Sequence, residues 1–339
     1  MITLGYGLIT CQTHPSDPRD WGELYGEALE LARTAEAAGA ESIWVSEHHF
    51  NDDGYLPALL PLMAALAAVT TSASIGSAMV LAPFYHPIRL AEDAAVTDLI
   101  SGGRLILGLG MGWRPEEFAA FGTPTTRRVR LLENAVAVCR AAWRGEPSGT
   151  SEDGTPIGYI TPRPAAGRIP IWFGAAAQPA LLRTGRLADG FMATNCTPDE
   201  FADAVATVRG EAQRRGRNPD DIDIALHLQT FVTDDPDPWA AVGEHILYQS
   251  WKYAETAGKF GFDGNLQPMP ELHPDFEAFV RAVSVVGTAE QVAERIQQYA
   301  DGVGGNLHYV ARSYYPGLGA KGQRENAAAL ADVRRALVR

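Results

Sequence analysis

The chain has 339 residues, of which 46% are apolar and 20% are charged, and this composition excludes a mainly disordered, collagen-like or disulfide-stapled protein. The formal charge of −13 disfavours binding to nucleic acid phosphates or anionic membranes. The three cysteines, Cys11, Cys139 and Cys196, lie far apart without a CxxC spacing, so neither a zinc ribbon nor a disulfide framework is expected. We therefore expect a globular, cytoplasmic protein with no nucleic acid or membrane partner.

Two segments are candidates for an export signal or a membrane span. The first, Met1 to Thr10, has no positively charged start and no small-residue cleavage site, and it reads as a first strand. The second is a run of 35 residues, Gly54 to Ile88, without Asp, Glu, Lys or Arg. Because prolines and Gly76 interrupt this run, it predicts a buried helix and a buried strand, each too short to cross a bilayer.

Helices and strands alternate along the chain. Helical periodicity, Gly stops and two capping boxes, at Thr197 and Thr288, support this reading. The predicted elements are strand Met1–Thr10, helix Gly22–Ala38, strand Ser42–Ser46, helix Pro57–Val69, strand Ile75–Leu81, helix Ile88–Ile100, strand Arg104–Leu109, helix Arg127–Trp143, strands Ile169–Gly174, Asp189–Thr194 and Ile222–Val232, helix Val292–Ala300, strand Asn306–Ala311 and helix Asn326–Leu337.

About eight strands separated by helices favour a (β/α)8 TIM barrel with insertions, and an open doubly wound sheet is the alternative. No linker or repeat divides the chain, so residues 1–339 are predicted to be one domain. Two segments exceed ordinary loop lengths, Arg144–Arg168 and Asp234–Asp275. The second contains Trp239, Trp251 and Tyr253 among charged residues, and we interpret it as a candidate lid.

The tetrad Glu47-His48-His49-Phe50 directly follows the second predicted strand, at the position where an α/β barrel carries its active-site loops. Successive strand residues point to opposite faces, so only one of the two histidines can face the barrel mouth. This argues against a two-histidine metal site. The alternative interpretation is a pair of structural histidines hydrogen-bonded to backbone at the strand end.

A glycine-rich stretch, Gly108-Leu109-Gly110-Met111-Gly112-Trp113, follows the fourth main strand. It does not match a dinucleotide-binding fingerprint, because Trp113 stands where the third glycine is required. We interpret these glycines as positions where a flat ligand approaches the backbone closely.

Two features predict phosphate binding. The first is a local cationic cluster of Arg127, Arg128 and Arg130. Because the Debye length is about 8 Å, acidic residues elsewhere on the surface hardly weaken its attraction for an anion. Arg127 and Arg130 share a helix face. The alternative interpretation is that these arginines are solvated surface residues that pair with Glu133. In the other feature, Gly174 to Gln178, small residues before a helix leave backbone N–H groups available to an anion.

Seven stretches, in order, make the chain resemble the bacterial luciferase-like monooxygenases, a family of (β/α)8 barrels that use reduced FMN or the deazaflavin coenzyme F420. These stretches are Trp44–Phe50 (WVSEHHF), Ile75–Leu81, His86–Asp93 (HPIRLAED), Ser101–Leu109 (SGGRLILGL), Glu117–Gly122, Pro170–Gly174 with Ala188–Gly190, and Val286–Thr288. The combination of EHHF, HPIRLAED and SGGRL is far more specific than any one of them.

The resemblance implies roles for individual residues. His48 is implied as the active-site histidine beside the flavin ring, with Glu47 and His49 supporting it; an imidazole suits proton transfer near neutral pH. A non-proline cis peptide is implied between Ala78 and Met79, against the ring. The implied cofactor-binding residues are Ala78, Met79 and Gly110 near the ring, and Arg130, Gly174, Ala175, Ala176 and Ala177 near the phosphate.

The chain also departs from the family pattern. Gly110 and Met111 stand where luciferase has a cysteine and an arginine, and Ala176 and Ala177 replace an acidic residue and a serine. The stretch Gly112 to Phe118 is more similar to the deazaflavin branch, whereas EHHF is more similar to the FMN branch, so both cofactors stay open.

The leading hypothesis is a monooxygenase that takes reduced FMN from a separate flavin reductase and uses O2 to oxygenate a small, mostly apolar molecule. The alternatives are an F420-dependent hydride-transfer enzyme, a flavin-binding barrel without catalysis, and a metal-dependent hydrolase using His48 and His86. The hydrolase lacks a convincing third ligand in the sequence, so no metal site is predicted. By analogy with the family, we expect a homodimer.

Overall fold

A computed structural model describes residues 1–149, 154–255, 266–304 and 306–338 of the chain. The strands are β1 (Ile2–Ile9), β2 (Ser42–Val45), β3 (Ser74–Ser77), β4 (Val80–Leu81), β5 (Leu105–Gly110), β6 (Ile171–Gly174), β7 (Gly190–Thr194), β8 (Asp223–Val232), β9 (Val285–Gly287) and β10 (Leu307–Arg312). The helices are α1 (Trp21–Ala37), α2 (Leu59–Val69), α3 (Pro87–Ser101), α4 (Pro115–Ala120), α5 (Arg128–Arg144), α6 (Gln178–Leu187), α7 (Pro198–Arg214), α8 (Pro238–Glu255), α9 (Pro274–Ala282), α10 (Ala289–Gly302) and α11 (Gly319–Leu337).

Eight parallel strands form a closed barrel in the order β1, β2, β3, β5, β6, β7, β8, β10, and β10 pairs with both β8 and β1. The two short strands extend this sheet: β4 pairs with β5, and β9 pairs with the end of β8. The predicted (β/α)8 barrel is therefore confirmed, and the open doubly wound alternative is wrong because the sheet closes. A closed parallel barrel brings the loops after all its strands to one rim, where such folds carry their active sites.

The interior of the barrel has its own small apolar cluster, separate from the larger core between strands and helices. The rings of Trp44 and Trp172 lie 5.3 Å apart at its centre, with His308 edge-on to both. Gly76 makes room for Trp44, because a Cβ on Gly76 would lie 2.4 Å from the indole. These rings fill the barrel below the rim.

Several predicted boundaries are wrong. The strand predicted as Ile75–Leu81 is divided into β3 and β4, and the peptide bond between Ala78 and Met79 at the division is cis, as the family resemblance implies. The last helix begins at Gly319 rather than Asn326, because the Gly and Lys residues of its first turns hide its apolar periodicity. Within the described ranges, no helix is long and apolar enough to cross a membrane.

The arginine of the SGGR motif joins the loops at the base of the barrel. Nη2 of Arg104 donates hydrogen bonds to the carbonyl oxygens of Ala67 (2.9 Å) and Thr70 (3.1 Å). Its Nη1 donates to Thr70 Oγ1 and to the carbonyl oxygen of Ala73, and its Nε donates to the carbonyl oxygen of Ser101 at 2.7 Å. One guanidinium therefore satisfies carbonyl groups at the ends of both α2 and α3.

We predict that Arg104→Met lowers the free energy of unfolding by about 2 to 4 kcal/mol, because several carbonyl groups lose a charged donor. Urea denaturation measures this change. The matched control is Arg89→Met, which removes the same charge from a side chain that is 68% exposed and should change stability by less than about 0.5 kcal/mol. Equal losses of stability in Arg104→Met and Arg89→Met would contradict the role of Arg104 in joining these loops.

Candidate active site

A cavity of about 440 Å³ opens at the rim formed by the carboxyl ends of the barrel strands. Its volume lies within the range of about 300 to 1,000 Å³ typical of small-molecule sites. The lining includes the predicted residues Glu47, His48, Ala78, Met79, Gly110, Gly174, Ala175, Ala176 and Ala177. The lining also includes Tyr55, Trp113, His227, Tyr253 and Arg312, which are not among the predicted site residues.

His48 is held by a buried carboxylate that sequence analysis did not select for a role. Its Nδ1 lies 3.1 Å from Oε1 of Glu117 in α4, and the two side chains are 6% and 0% exposed. The same Oε1 accepts the backbone N–H of His49 at 2.9 Å and Nη1 of Arg114 at 3.3 Å. Two signals were available in the sequence: Glu117 opens a stretch that resembles the family, Glu117–Gly122, and it lies near the start of a helix that follows a barrel strand.

The charge of Glu117 fixes the tautomer of His48. Burial alone raises the pKa of Glu117, but the hydrogen bond and charge of His48, the N–H of His49 and the charge of Arg114 outweigh it and lower that pKa. An ionised carboxylate only accepts hydrogen bonds, so Nδ1 of His48 carries the proton that it donates. Nε2 is thereby left as the ring nitrogen that Glu117 does not occupy.

Glu47 and His49 contact each other rather than His48. Oε1 of Glu47 lies 2.8 Å from Nε2 of His49, and Oε2 accepts hydrogen bonds from the Leu81 N–H and the Tyr85 hydroxyl, each at 3.2 Å. Burial raises the pKa of Glu47, and these hydrogen bonds offset it only in part. The pair fixes the loop after β2 against β4, so any support that it gives His48 is indirect.

The two histidines face different surroundings, as predicted, but β2 ends at Val45, so they belong to the loop after it and strand alternation is not the cause. His49 packs edge-on against the rings of Phe84 and Phe121 at 6.0 and 4.7 Å and is not part of the cavity lining. His48 lines the cavity, where Tyr55 and Tyr253 contact its ring at 5.0 and 5.3 Å. The two residues therefore do not form a joint site.

Two glycines of β5, Gly108 and Gly110, accommodate the neighbouring Ser77 to Met79 segment. A Cβ on Gly108 would lie 1.9 Å from the carbonyl oxygen of Ser77, and one on Gly110 would lie 3.1 Å from Cβ of Met79. Gly108 and Ser77 are also joined by two hydrogen bonds through Ser77 Oγ, of 2.9 and 3.0 Å. The interpretation that Gly108 directly admits a ligand is therefore wrong; it lets the Ala78–Met79 segment approach, and that segment lines the cavity.

The predicted phosphate residues separate into two places. The Gly174 to Ala177 loop lines the cavity and leads into α6, whose N-cap Ala177 makes no side-chain hydrogen bond. In the first turn of α6, Pro179 has no N–H and Ala180 donates its N–H to the carbonyl oxygen of Ala177 at 2.9 Å, so an anion there depends on the loop backbone. Arg130 is exposed on α5 and does not line the cavity. Arg183 of α6, which sequence analysis did not select, lies 3.4 Å from the sulfur of the lining residue Met111.

The start of the candidate lid is anchored to the loop that follows His48 and His49. Lys252 of α8 forms a 2.7 Å ion pair with Asp52, and both side chains are buried. Gln249 donates to the carbonyl oxygen of Tyr314 at 3.1 Å. Residues 256–265 of the predicted lid lie outside the described residues. Lid behaviour of Asp234–Asp275 stays a prediction, and protease resistance there equal to that of the barrel would contradict it.

The residues present fit a flavin better than a metal ion. Small side chains and backbone from Ala78, Gly110 and the Gly174 to Ala177 loop line one side of the cavity, next to a helix N-terminus. Among the residues described, no group of three or more His, Cys, Asp or Glu side chains is placed to hold a metal ion. The alternative of a hydrolase using His48 and His86 therefore has no ligand set in that part of the chain.

We predict that Glu117→Gln lowers the free energy of unfolding by about 1 to 3 kcal/mol at pH 7, since the buried donors lose a charged acceptor. The pKa of Glu117 is lowered by folding, so its contribution is present above the unfolded value of about 4.3 and is lost as pH falls through the folded value. The difference between wild type and variant, measured by urea denaturation, should therefore shrink below about pH 4.

The neighbouring Glu116→Gln is the control for this prediction, because Glu116 is also buried but is not among the partners of His48. A stability difference for Glu117→Gln that stays constant from pH 7 down to about pH 3 would show that the carboxylate charge does not matter.

The chain matches the model of the luciferase-like monooxygenases over residues 6–305. The oxygenase component of flavin-dependent trigonelline monooxygenase from Acinetobacter baylyi is 26% identical, covering 87% of this chain and 85% of the relative. The F420-dependent glucose-6-phosphate dehydrogenase from Nakamurella multipartita is 32% identical, and the match covers 61% of this chain and 64% of the relative. The crystal structure of monooxygenase RslO1 from Streptomyces bottropensis superposes with a TM-score of 0.82 at 23% identity, covering 97% of each chain. This chain therefore belongs to the luciferase-like monooxygenase family of enzymes, which includes flavin-dependent monooxygenases and F420-dependent oxidoreductases.

Proposed function

We propose that this chain is the oxygenase component of a two-component flavin monooxygenase, which takes reduced FMN from a separate reductase and oxygenates a small, mostly apolar organic substrate with O2. The observation that carries the proposal is the buried His48–Glu117 pair at the rim cavity. The coverage of the flavin-dependent relative supports FMN over F420, since that relative aligns with 87% of the chain and the F420-dependent relative with 61%.

Each group of lining residues has a separate task in this proposal. Ala78, Met79 and Gly110 would hold the ring, and the Gly174 to Ala177 loop would hold the phosphate, with Arg130 outside the cavity lining. Bound reduced FMN supplies the electrons that reduce O2.

His48 provides the proton transfer. Its Nδ1 is fixed by Glu117, so Nε2 accepts or donates the proton at the reacting group. The rings of Tyr55, Trp113 and Tyr253 surround His48 at 5.0 to 6.2 Å, and they exclude water from this side of the cavity.

Anaerobic titration with each reduced cofactor tests the choice of cofactor. We expect reduced FMN to quench tryptophan fluorescence with a micromolar dissociation constant, because Trp113 lines the cavity. Reduced F420 should bind at least about tenfold more weakly. Tight binding of F420 without binding of FMN would overturn the proposal.

We predict that His48→Gln slows the reoxidation of bound reduced FMN by O2, or the turnover of a substrate once found, by about 100-fold. Its dissociation constant for FMN should stay within about threefold of wild type, because the substitution removes a proton-transfer group and not a phosphate contact. Stopped-flow absorbance measures the rate. The control is His86→Gln, since His86 does not line the cavity; equal rates in all three proteins would favour a flavin-binding barrel without catalysis.

F420-dependent hydride transfer is the second candidate. It is supported by the relative with 32% identity and by the stretch from Gly112 to Phe118, which is more similar to the deazaflavin branch. The homodimer and the cytoplasmic location stay part of the proposal.

A further inference from the structure

Arg312 ends β10 and lines the cavity, yet no carboxylate in the described part of the chain pairs with its charge. Its side chain is buried, with 8% of the residue exposed, and its Nε has no hydrogen-bond partner among the described residues. Within those residues no carboxylate lies at ion-pair distance from this guanidinium. An isolated buried cation is strongly unfavourable, so this guanidinium needs a partner beyond those that the described part of the chain supplies.

The groups that feel the charge of Arg312 are all neutral at pH 7. Burial raises the pKa of Tyr55 to about 12 and that of Tyr315 well above its usual value. Burial also raises the pKa of Tyr253. Burial and the charge of Arg312 lower the pKa of His227 to about 3. None of these groups compensates the positive charge.

The barrel order places Arg312 away from the predicted flavin seat. β10 is four strands from β5 in either direction around the closed sheet, so Arg312 lies across the rim from Gly110. β10 is only two strands from β2, which leads to His48. Tyr253 links the two residues, because its ring contacts His48 and its pKa responds to Arg312.

We propose that Arg312 binds the carboxylate of an organic substrate and thereby orients the substrate carbon chain between the flavin seat and His48. A guanidinium matches a carboxylate with two parallel charge-assisted hydrogen bonds. The apolar lining then contacts the rest of the substrate, so the substrate class is a small, mostly apolar carboxylic acid. Orientation toward a flavin rests on the proposed function, whereas carboxylate binding at Arg312 does not.

The test compares two probes of nearly equal shape, benzoate and benzamide, titrated calorimetrically into the full chain at pH 7. We expect wild type to bind benzoate at least about tenfold more tightly than benzamide. In Arg312→Met the two affinities should become about equal, and Arg312→Lys should keep part of the preference. Arg89→Met, which removes a surface charge, should behave as wild type, and circular dichroism melting shows which variants fold.

Three results would overturn the inference: no binding of benzoate to wild type up to about 10 mM, an unchanged preference in Arg312→Met, or equal loss of benzoate and reduced-FMN affinity, which would make Arg312 a cofactor contact. If Arg312→Met does not fold, the inference stands only if the preference for benzoate over benzamide falls at least about threefold in Arg312→Lys. If FMN fails to bind wild type while the benzoate preference depends on Arg312, the proposed function fails and the carboxylate site remains.

Discussion

The buried carboxylate of Glu117 is the contact on which the rest of the site depends. One oxygen accepts hydrogen bonds from the imidazole of His48, the backbone of His49 and the guanidinium of Arg114. These donors come from the loop after β2 and from Arg114, the residue before α4, so a single charge joins the loops after β2 and β5 across the intervening β3. Because the carboxylate is fully buried, removing its charge leaves several donors without a compensating group.

The barrel was predictable because its signals are local and repeated. Alternating strand and helix patterns, glycine stops and the capping boxes at Thr197 and Thr288 each depend on neighbouring residues, and the structure shows both boxes. The division between β3 and β4 was not visible in the pattern of hydrophobic residues, since Ile75 to Leu81 reads as continuous. It depends on the approach of Ser77 to Gly108, which are 31 residues apart in sequence.

The same distinction applies to the site. His48 was identifiable because it follows a strand in a motif shared with a family. Glu117 lies in a stretch that resembles the family but 69 residues from its histidine, so the pairing is not visible in the sequence. Arg312 is an arginine at the end of an apolar strand, outside the stretches that resemble the family. Their importance arises from burial and from the charges around them, which only the folded chain determines.

The rim cavity has two chemically different sides. Near β3, β5 and β6 it presents backbone and small side chains, which suits a flat ring. Near β2 and β10 it presents His48, two tyrosines and Arg312, which suits proton transfer and the recognition of an anion. This division separates the seat proposed for the cofactor from the seat proposed for the substrate.

The anchoring of α8 has a consequence for how the cavity responds to its ligands. Adjacent residues of this helix contact the loop after β2 at two points, Lys252 at Asp52 and Tyr253 at His48. A molecule that changes the position of Tyr253 therefore also acts on a buried ion pair, so occupancy and helix attachment are energetically linked. Linkage of this kind is reciprocal: whatever loosens α8 weakens binding beside the imidazole by the same factor.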